Sequence, residues 1–326
     1  MLLLFLAAVF LLNLSLGSVK IPNSEIVNSI FGKEIKTSWE IILWNYRLPK
    51  AITAIMVGFG LSASGLLMQT LFRNPLAGPY VLGLSSGSSL GVAFVIMGSS
   101  ILPSFFVSEI GIVLASSIGS FIVLTAVLIV SKKIKDTMSI LIVGLMFGSF
   151  TSAIVSVLSY FSTAEELQKF TFWAMGSLSN LSWNAIFILL TCTLLGLFLS
   201  LISLKALNSL LLGENYAKSL GIKFSKTRFI IIIATSILVG SITAFAGPIA
   251  FIGLAVPHIA KLTFQTSNHF VLFWSTLLIG AILMLLCDIV SQLPGSDFTL
   301  PINAITSIIG APMVVWLLLR KQKLMI

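Results

Sequence analysis

The sequence predicts an all-α integral membrane protein, one polytopic domain over residues 1–326 with about ten spans and both termini inside. Three observations carry that prediction. Hydrophobic residues make up 57% of the chain and charged residues only 9%, against roughly 25% charged in soluble domains. Residues 74–108, 137–164, 170–204, 229–257 and 298–319 contain no Asp, Glu, Lys or Arg, and about 20 apolar residues suffice for a spanning helix. Backbone polar groups in hydrocarbon must bond within the protein, so these runs are helical; the alternation of a membrane β-strand is missing.

The first span, about 1–17, is apolar and precedes Lys20. It lacks the cationic start of a signal peptide and reads as a retained helix. Residues 18–46 form a polar connector in which Ile26, Val27, Ile30 and Phe31 fit a short amphipathic helix. The second span, about 48–71, carries Gly58, Gly60, Ser62, Ser64 and Gly65, and the break Arg73–Pro79 ends it. The third, about 80–101, holds Gly83, Gly87 and Gly91 at four-residue spacing and stops before Pro103. Small residues at this spacing share one helix face and let backbones approach closely.

A fourth span, about 110–131, is stopped by Lys132, Lys133 and Lys135, and a fifth covers about 138–160 with Gly144, Gly148 and Ser152 in register. A polar section at 162–184 follows, with Trp173 and Trp183 suited to a membrane interface. The sixth span, about 185–204, leads to a basic connector, about 205–228. The seventh, about 229–246, is broken by Gly247–Pro248, and a short eighth at about 249–265 holds Pro257 and His258. The ninth and tenth spans lie at about 270–291 and 303–319. Two proline breaks at comparable places give the halves a faint likeness, as in transporters built from repeats.

Charge fixes the orientation. With the N-terminus inside, Arg73, Lys132, Lys133, Lys135, Lys205, Lys218, Lys223, Lys226, Arg228, Lys261, Arg320, Lys321 and Lys323 face the cytoplasm. Lys20, Lys33, Lys36, Arg47, Lys50 and Lys169 remain outside. Lys and Arg near span ends favour the cytoplasmic side, so the sequence predicts N-in and C-in. The net charge of +9 therefore belongs to topology and membrane lipid, not to nucleic acid.

Enzyme chemistry finds little footing. Ionisable groups inside spans are functional candidates, yet Asp288 and Glu109 lie near span ends and His258 and His269 at or near loops. Neither histidine has the paired partner of a metalloprotease, and Gly213–Ser219 lacks the second glycine of a phosphate-binding loop. No cofactor or metal site is read, and Cys192 and Cys287 are ordinary apolar-segment thiols. Without mid-span carboxylates for proton coupling, energy must come from elsewhere. The 205–228 connector far exceeds what joining two spans requires, and reads as a docking surface for a cytoplasmic partner.

Several blocks together resemble the FecCD-type permeases of bacterial ABC importers. These are Arg47-Leu-Pro-Lys50, Gln69 with Phe72-Arg-Asn-Pro-Leu-Ala-Gly-Pro79, Gly213-Glu214 with Ala217, Leu220 and Gly221, Gly247-Pro through Pro257-His258, and Gly310-Ala-Pro312. The resemblance implies a type II importer permease in the bacterial inner membrane, not itself an enzyme. It would work with two cytoplasmic ATPases, a second permease as a homodimer partner, and an external substrate-binding protein. Gly213, Glu214, Ala217, Leu220 and Gly221 would couple to the ATPase, and Arg47 and Lys50 would dock the binding protein. The fifth and tenth spans would line the pathway, with Met138, Ser139, Gly144 and Gly148 near it or its gate. The implied cargo is an iron chelate, siderophore or haem; the alternatives are vitamin B12 or, outside the family, a secondary carrier or channel.

Overall fold

The computed structural model describes residues 1–131, 137–179, 181–211, 219, 221, 223–292 and 298–323. Helix α1 is Leu2–Ser15 and α2 is Asn23–Ile30. Helix α3, Thr37–Ile42, runs through a π-helical turn, Leu43–Arg47, into α4, Leu48–Leu71. Then come α5 (Leu84–Met97), α6 (Ser104–Val107), α7 (Glu109–Ser131), α8 (Thr137–Phe161), α9 (Ala164–Met175) and α10 (Trp183–Leu211). The chain closes with α11 (Phe224–Ala246), α12 (Ile252–Phe264), α13 (His269–Ser291) and α14 (Ile302–Lys323). Among the described residues six helices are long and apolar enough to cross a membrane, and shorter apolar helices occupy Leu2–Ser15, Leu84–Met97, Ile252–Phe264 and Ile302–Trp316.

Two of the boundaries differ from the sequence reading. The third apolar stretch begins its helix only at Leu84, because Gly83 sits at φ +78°, where a right-handed helix cannot pass. Helix α10 continues to Leu211 and so absorbs the first seven residues of the basic connector. Trp173 donates its indole N–H to the carbonyl of Ala244 (2.9 Å). With Ser177 N–H bonding Ala246 O (3.1 Å), it satisfies carbonyls that the end of α11 leaves open.

Helix α4 is the centre of the bundle. The 35-residue helical stretch containing it is 83% buried across its most apolar window, and α4 packs on α10, α11, α12 and α13. The small-residue stripe does the packing. A methyl added at Gly65 would fall on the carbonyl of Gly253 in α12. A second seam joins α5 to α7, where a methyl at Gly87 would stand 2.5 Å from the carbonyl of Gly119. Large side chains such as Leu66, Leu67, Met68 and Phe273 fill the volume between the seams.

Two non-helical breaks meet inside this bundle. In the first, Arg73 takes φ +48°, Asn74 N–H bonds Gln69 O (3.0 Å), and Asn74 Oδ1 accepts from Leu76 N–H (2.9 Å). The second turns at Gly247 (φ +74°) and at Phe251 (φ +65°), which caps α12. Gly78, Pro79, Tyr80 and Val81 of the first border one small cavity with Ile249 and Phe251 of the second and with Gly253 and Leu254 at the start of α12, beside Leu61 of α4. Leu61 lies about 15 Å along the helix from its end at Leu71. Irregular backbone at such depth persists only where protein covers it or it lines a cavity.

Candidate functional site

Helix α8 is the least covered of the long apolar helices, with 22% of its window buried. It leans on α5 and α7 and exposes Ile142, Leu145, Met146, Phe150 and Val157. Its two mid-helix glycines face inward. Gly144 lies against Leu82, 2.8 Å from where its methyl would sit, and Gly148 borders Ser86 at 3.4 Å. Ser139 is half-buried; Met138 falls in the first turn, and its side chain lies outside the described residues.

Between α5, α8 and α9 is a cavity of about 330 Å³. Ser85, Ser86 and Ser89 of α5 face Ser152 and Ser156 of α8 across it, with Tyr80, Phe170 and Pro248 at its edges. Both chain breaks thus reach this space, through Tyr80 and Pro248. None of the described residues around it is charged at neutral pH. Hydroxyls donate and accept hydrogen bonds, so the wall offers hydrogen bonding without fixed charge.

A second polar group lies at the far end of α4. Arg47 is 8% exposed, and its guanidinium donates to the carbonyls of Leu14 (2.6 Å), Ser15 (3.0 Å) and Val19. It therefore closes off the C-terminal end of α1. Lys50 pairs with Asp288 at 3.0 Å, the two side chains being 12% and 0% exposed. Asn13 Nδ2 (2.9 Å) and Gln292 Nε2 (2.8 Å) donate to the other oxygen of Asp288. Both cations expected at an external docking surface thus spend their charge inside the protein. Their neighbours Ser18, Val19 and Lys20 are the exposed ones.

At the opposite end, Gly213, Glu214, Ala217 and Leu220 lie outside the described residues. Gly221 adopts φ +79°, with nothing within 4 Å of an added methyl, a backbone state that glycine tolerates.

The model of the FecCD transport family matches residues 4–320. The chain belongs to the FecCD transport family. It is 33% identical over 320 residues to the vitamin B12 import system permease protein BtuC of Klebsiella pneumoniae subsp. pneumoniae, covering 98% of this chain and 92% of that one. Identity is 34% over 293 residues to BtuC of Salmonella typhi, covering 90% and 88%. A solved structure described as an inward-facing conformation of a metal-chelate type ABC transporter superposes with a TM-score of 0.83 at 32% identity, covering 98% of this chain and 97% of the other. PsaBC from Streptococcus pneumoniae in complex with Fab shares the fold, with a TM-score of 0.60 at 17% identity.

As a FecCD protein the chain is a multi-pass permease of an ABC importer, not an enzyme, and the ATPase is a separate subunit. The sequence reading missed two features of this permease. Asp288 was seen only as a carboxylate near a span end; a lone acid in a charge-free helix demands a partner, and Lys50 at the matching end of α4 was the available one. The serine wall was hidden because its members come from two helices 66 residues apart in sequence, Ser86 and Ser152. Hydroxyls in such helices ordinarily bond their own backbone, as Ser156 does to Ser152 O (3.0 Å).

Proposed function

We propose that this FecCD permease moves a corrinoid of the vitamin B12 class into the cytoplasm, rather than the iron chelate expected first. The observation that carries this reading is the 33–34% identity to B12 import permeases over nine-tenths or more of the chain. The uncharged serine wall supports it. A corrinoid presents many amide groups, which hydroxyls can meet as donors and acceptors. An anionic chelate would gain no counter-charge there. Siderophore or haem transport is the second reading, favoured by the likeness to a metal-chelate type transporter.

The permease works in the bacterial inner membrane, N-in and C-in, paired with a second copy and served by two ATPases and an external binding protein. Gly213, Glu214, Ala217, Leu220 and Gly221 receive the ATPase stroke. Met138, Ser139, Gly144 and Gly148 lie on the moving wall: the glycines let α8 slide over the 81–86 stretch as the pathway switches. Arg47 and Lys50 serve binding-protein docking by shape: Arg47 fixes the turn that displays Ser18 to Lys20, and Lys50 ties α4 to α13 through Asp288. Coupling requires each state to make different contacts at both ends.

Uptake in cells lacking the gene tests the cargo. Loss of labelled cobalamin uptake with ferric-chelate uptake intact is expected, and the opposite pattern overturns the corrinoid reading. Purification under conditions that preserve ABC complexes should recover an ATPase subunit.

A further inference from the structure

At the end of the bundle away from Arg47, four helix ends surround a cavity of about 360 Å³ that the transport reading does not use. Arg73 and Asn74 follow α4, Leu210 and Leu211 end α10, Lys261 lies in the last turn of α12, and His269 begins α13. Two cations face the space and no carboxylate is among its lining residues.

The Arg73 cation is positioned by built geometry. Arg73 holds its left-handed backbone through the Asn74 turn, and its guanidinium reaches the Leu210 carbonyl at 3.3 Å, one of its five N–H donors so used. His269, 1% exposed, is clamped between Thr70 Oγ1 (2.8 Å) and Asn208 Oδ1 (2.9 Å). Because the Asn208 oxygen only accepts, His269 Nδ1 carries the proton and Nε2 faces the threonine hydroxyl. The imidazole therefore braces the wall.

Two further features narrow the ligand. The Gln69 amide lines the cavity with Nε2 bound to Leu254 O (3.0 Å), while Oε1 is buried without a partner. A buried acceptor in that state calls for a donor. Apolar side chains complete the lining, with Pro75, Leu210, Leu211 and Leu272. Cations, an open acceptor and a greasy margin match a phosphodiester carrying a hydroxylated headgroup and acyl chains. Basic pockets between helices on the cytoplasmic side bind anionic headgroups in this manner.

We propose that this cavity binds the phosphate of an anionic phospholipid of the phosphatidylglycerol type, with Arg73 and Lys261 on the phosphate and Gln69 Oε1 accepting from the headgroup hydroxyl. The lipid's place in the inner leaflet rests on the N-in reading, which thiol labelling of a Ser267→Cys variant from the cytoplasmic side tests separately.

The direct test is native mass spectrometry of the full-length permease titrated with phosphatidylglycerol, phosphatidylcholine or inorganic phosphate. Phosphatidylglycerol adducts are expected to persist where phosphatidylcholine adducts do not. The Arg73→Gln/Lys261→Gln variant should lose about thirtyfold in that preference, at about fivefold per basic side chain near a lipid surface. Arg73→Lys/Lys261→Arg, which keeps both charges, should retain most of it, and Lys205→Gln should change nothing. Equal retention of both lipids, an undiminished preference in the folded glutamine variant, or displacement by equimolar inorganic phosphate overturns the proposal.

Discussion

Replacing Lys50 by methionine isolates the energetic role of the pair it forms with Asp288. The carboxylate is fully buried and accepts from Lys50 at 3.0 Å, Asn13 at 2.9 Å and Gln292 at 2.8 Å. Methionine fills much of the same volume but removes the only positive charge among those three donors. Two neutral amides cannot replace the charge compensation, and stranding one partner of a buried pair costs about 3–5 kcal/mol. Asp288→Asn should cost less, because Lys50 retains 12% exposure and its flexible stem can carry the ammonium outward. Combining Lys50→Met with Asp288→Asn removes both charges while keeping a polar group for Asn13 and Gln292. The double variant is therefore expected within about 1 kcal/mol of wild type. Unfolding of the purified permease in mild detergent, followed by tryptophan fluorescence, gives all four corners of the cycle. A Lys50→Met variant as stable as wild type, or a double variant no better than Lys50→Met, would refute the reasoning.

Three further outcomes are expected. Gly65→Ala should sharply reduce recovery of monodisperse permease, because its methyl would occupy the Gly253 carbonyl and overpacking costs about 1–3 kcal/mol or more. Gly148→Ala, whose methyl would meet Ser86 at an ordinary 3.4 Å, should be tolerated, and equal recovery of the two would count against the seam. The Glu166 carboxyl is held below its ordinary range chiefly by the Thr163 backbone N–H, with help from the Thr163, Ser100 and Ser99 hydroxyls against the opposing effect of burial. Its folded value is depressed, so its stabilisation is complete above the unfolded value of about 4.3 and disappears as pH falls through the folded one. Hydrogen exchange in α9 should show that loss in wild type but not in Glu166→Gln, and Thr163→Ala should weaken the cap by about 1 kcal/mol at neutral pH. Finally, Glu214→Arg with Gly221→Pro should abolish uptake while leaving membrane insertion intact; normal uptake removes the coupling assignment.

Helix existence was legible because bilayer chemistry permits few alternatives: an uncharged stretch such as 229–246 has to be a helix, and α11 covers it. Its ends were harder to read. Nothing in Lys205–Leu211 marks a stop, so α10 simply continues into the basic connector. Gly83, by contrast, cuts the third apolar run because its positive φ sets the helix start. Both breaks could be located from their prolines, but their meeting depends on how α4 and α12 cross at Gly65 and Gly253, a tertiary fact. The same limit hid the destinations of Arg47 and Lys50. Sequence placed two cations beside a proline at a span end, whereas the α1 carbonyls and Asp288 that receive them lie elsewhere in the chain.

The unequal coverage of α4 and α8 has a mechanical consequence. A helix wedged among four others by glycine seams can shift only if all four shift with it, so α4 behaves as the stator of the subunit. Helix α8 touches α5 and α7 along one side and leaves 78% of its apolar window outside the folded core. Rocking it disturbs two contacts rather than a whole core. The compliance of the subunit is thus concentrated in the one long helix that also supplies part of the serine wall. On the mechanism proposed above, a stroke delivered to the bundle would be spent on the chamber and not on the frame.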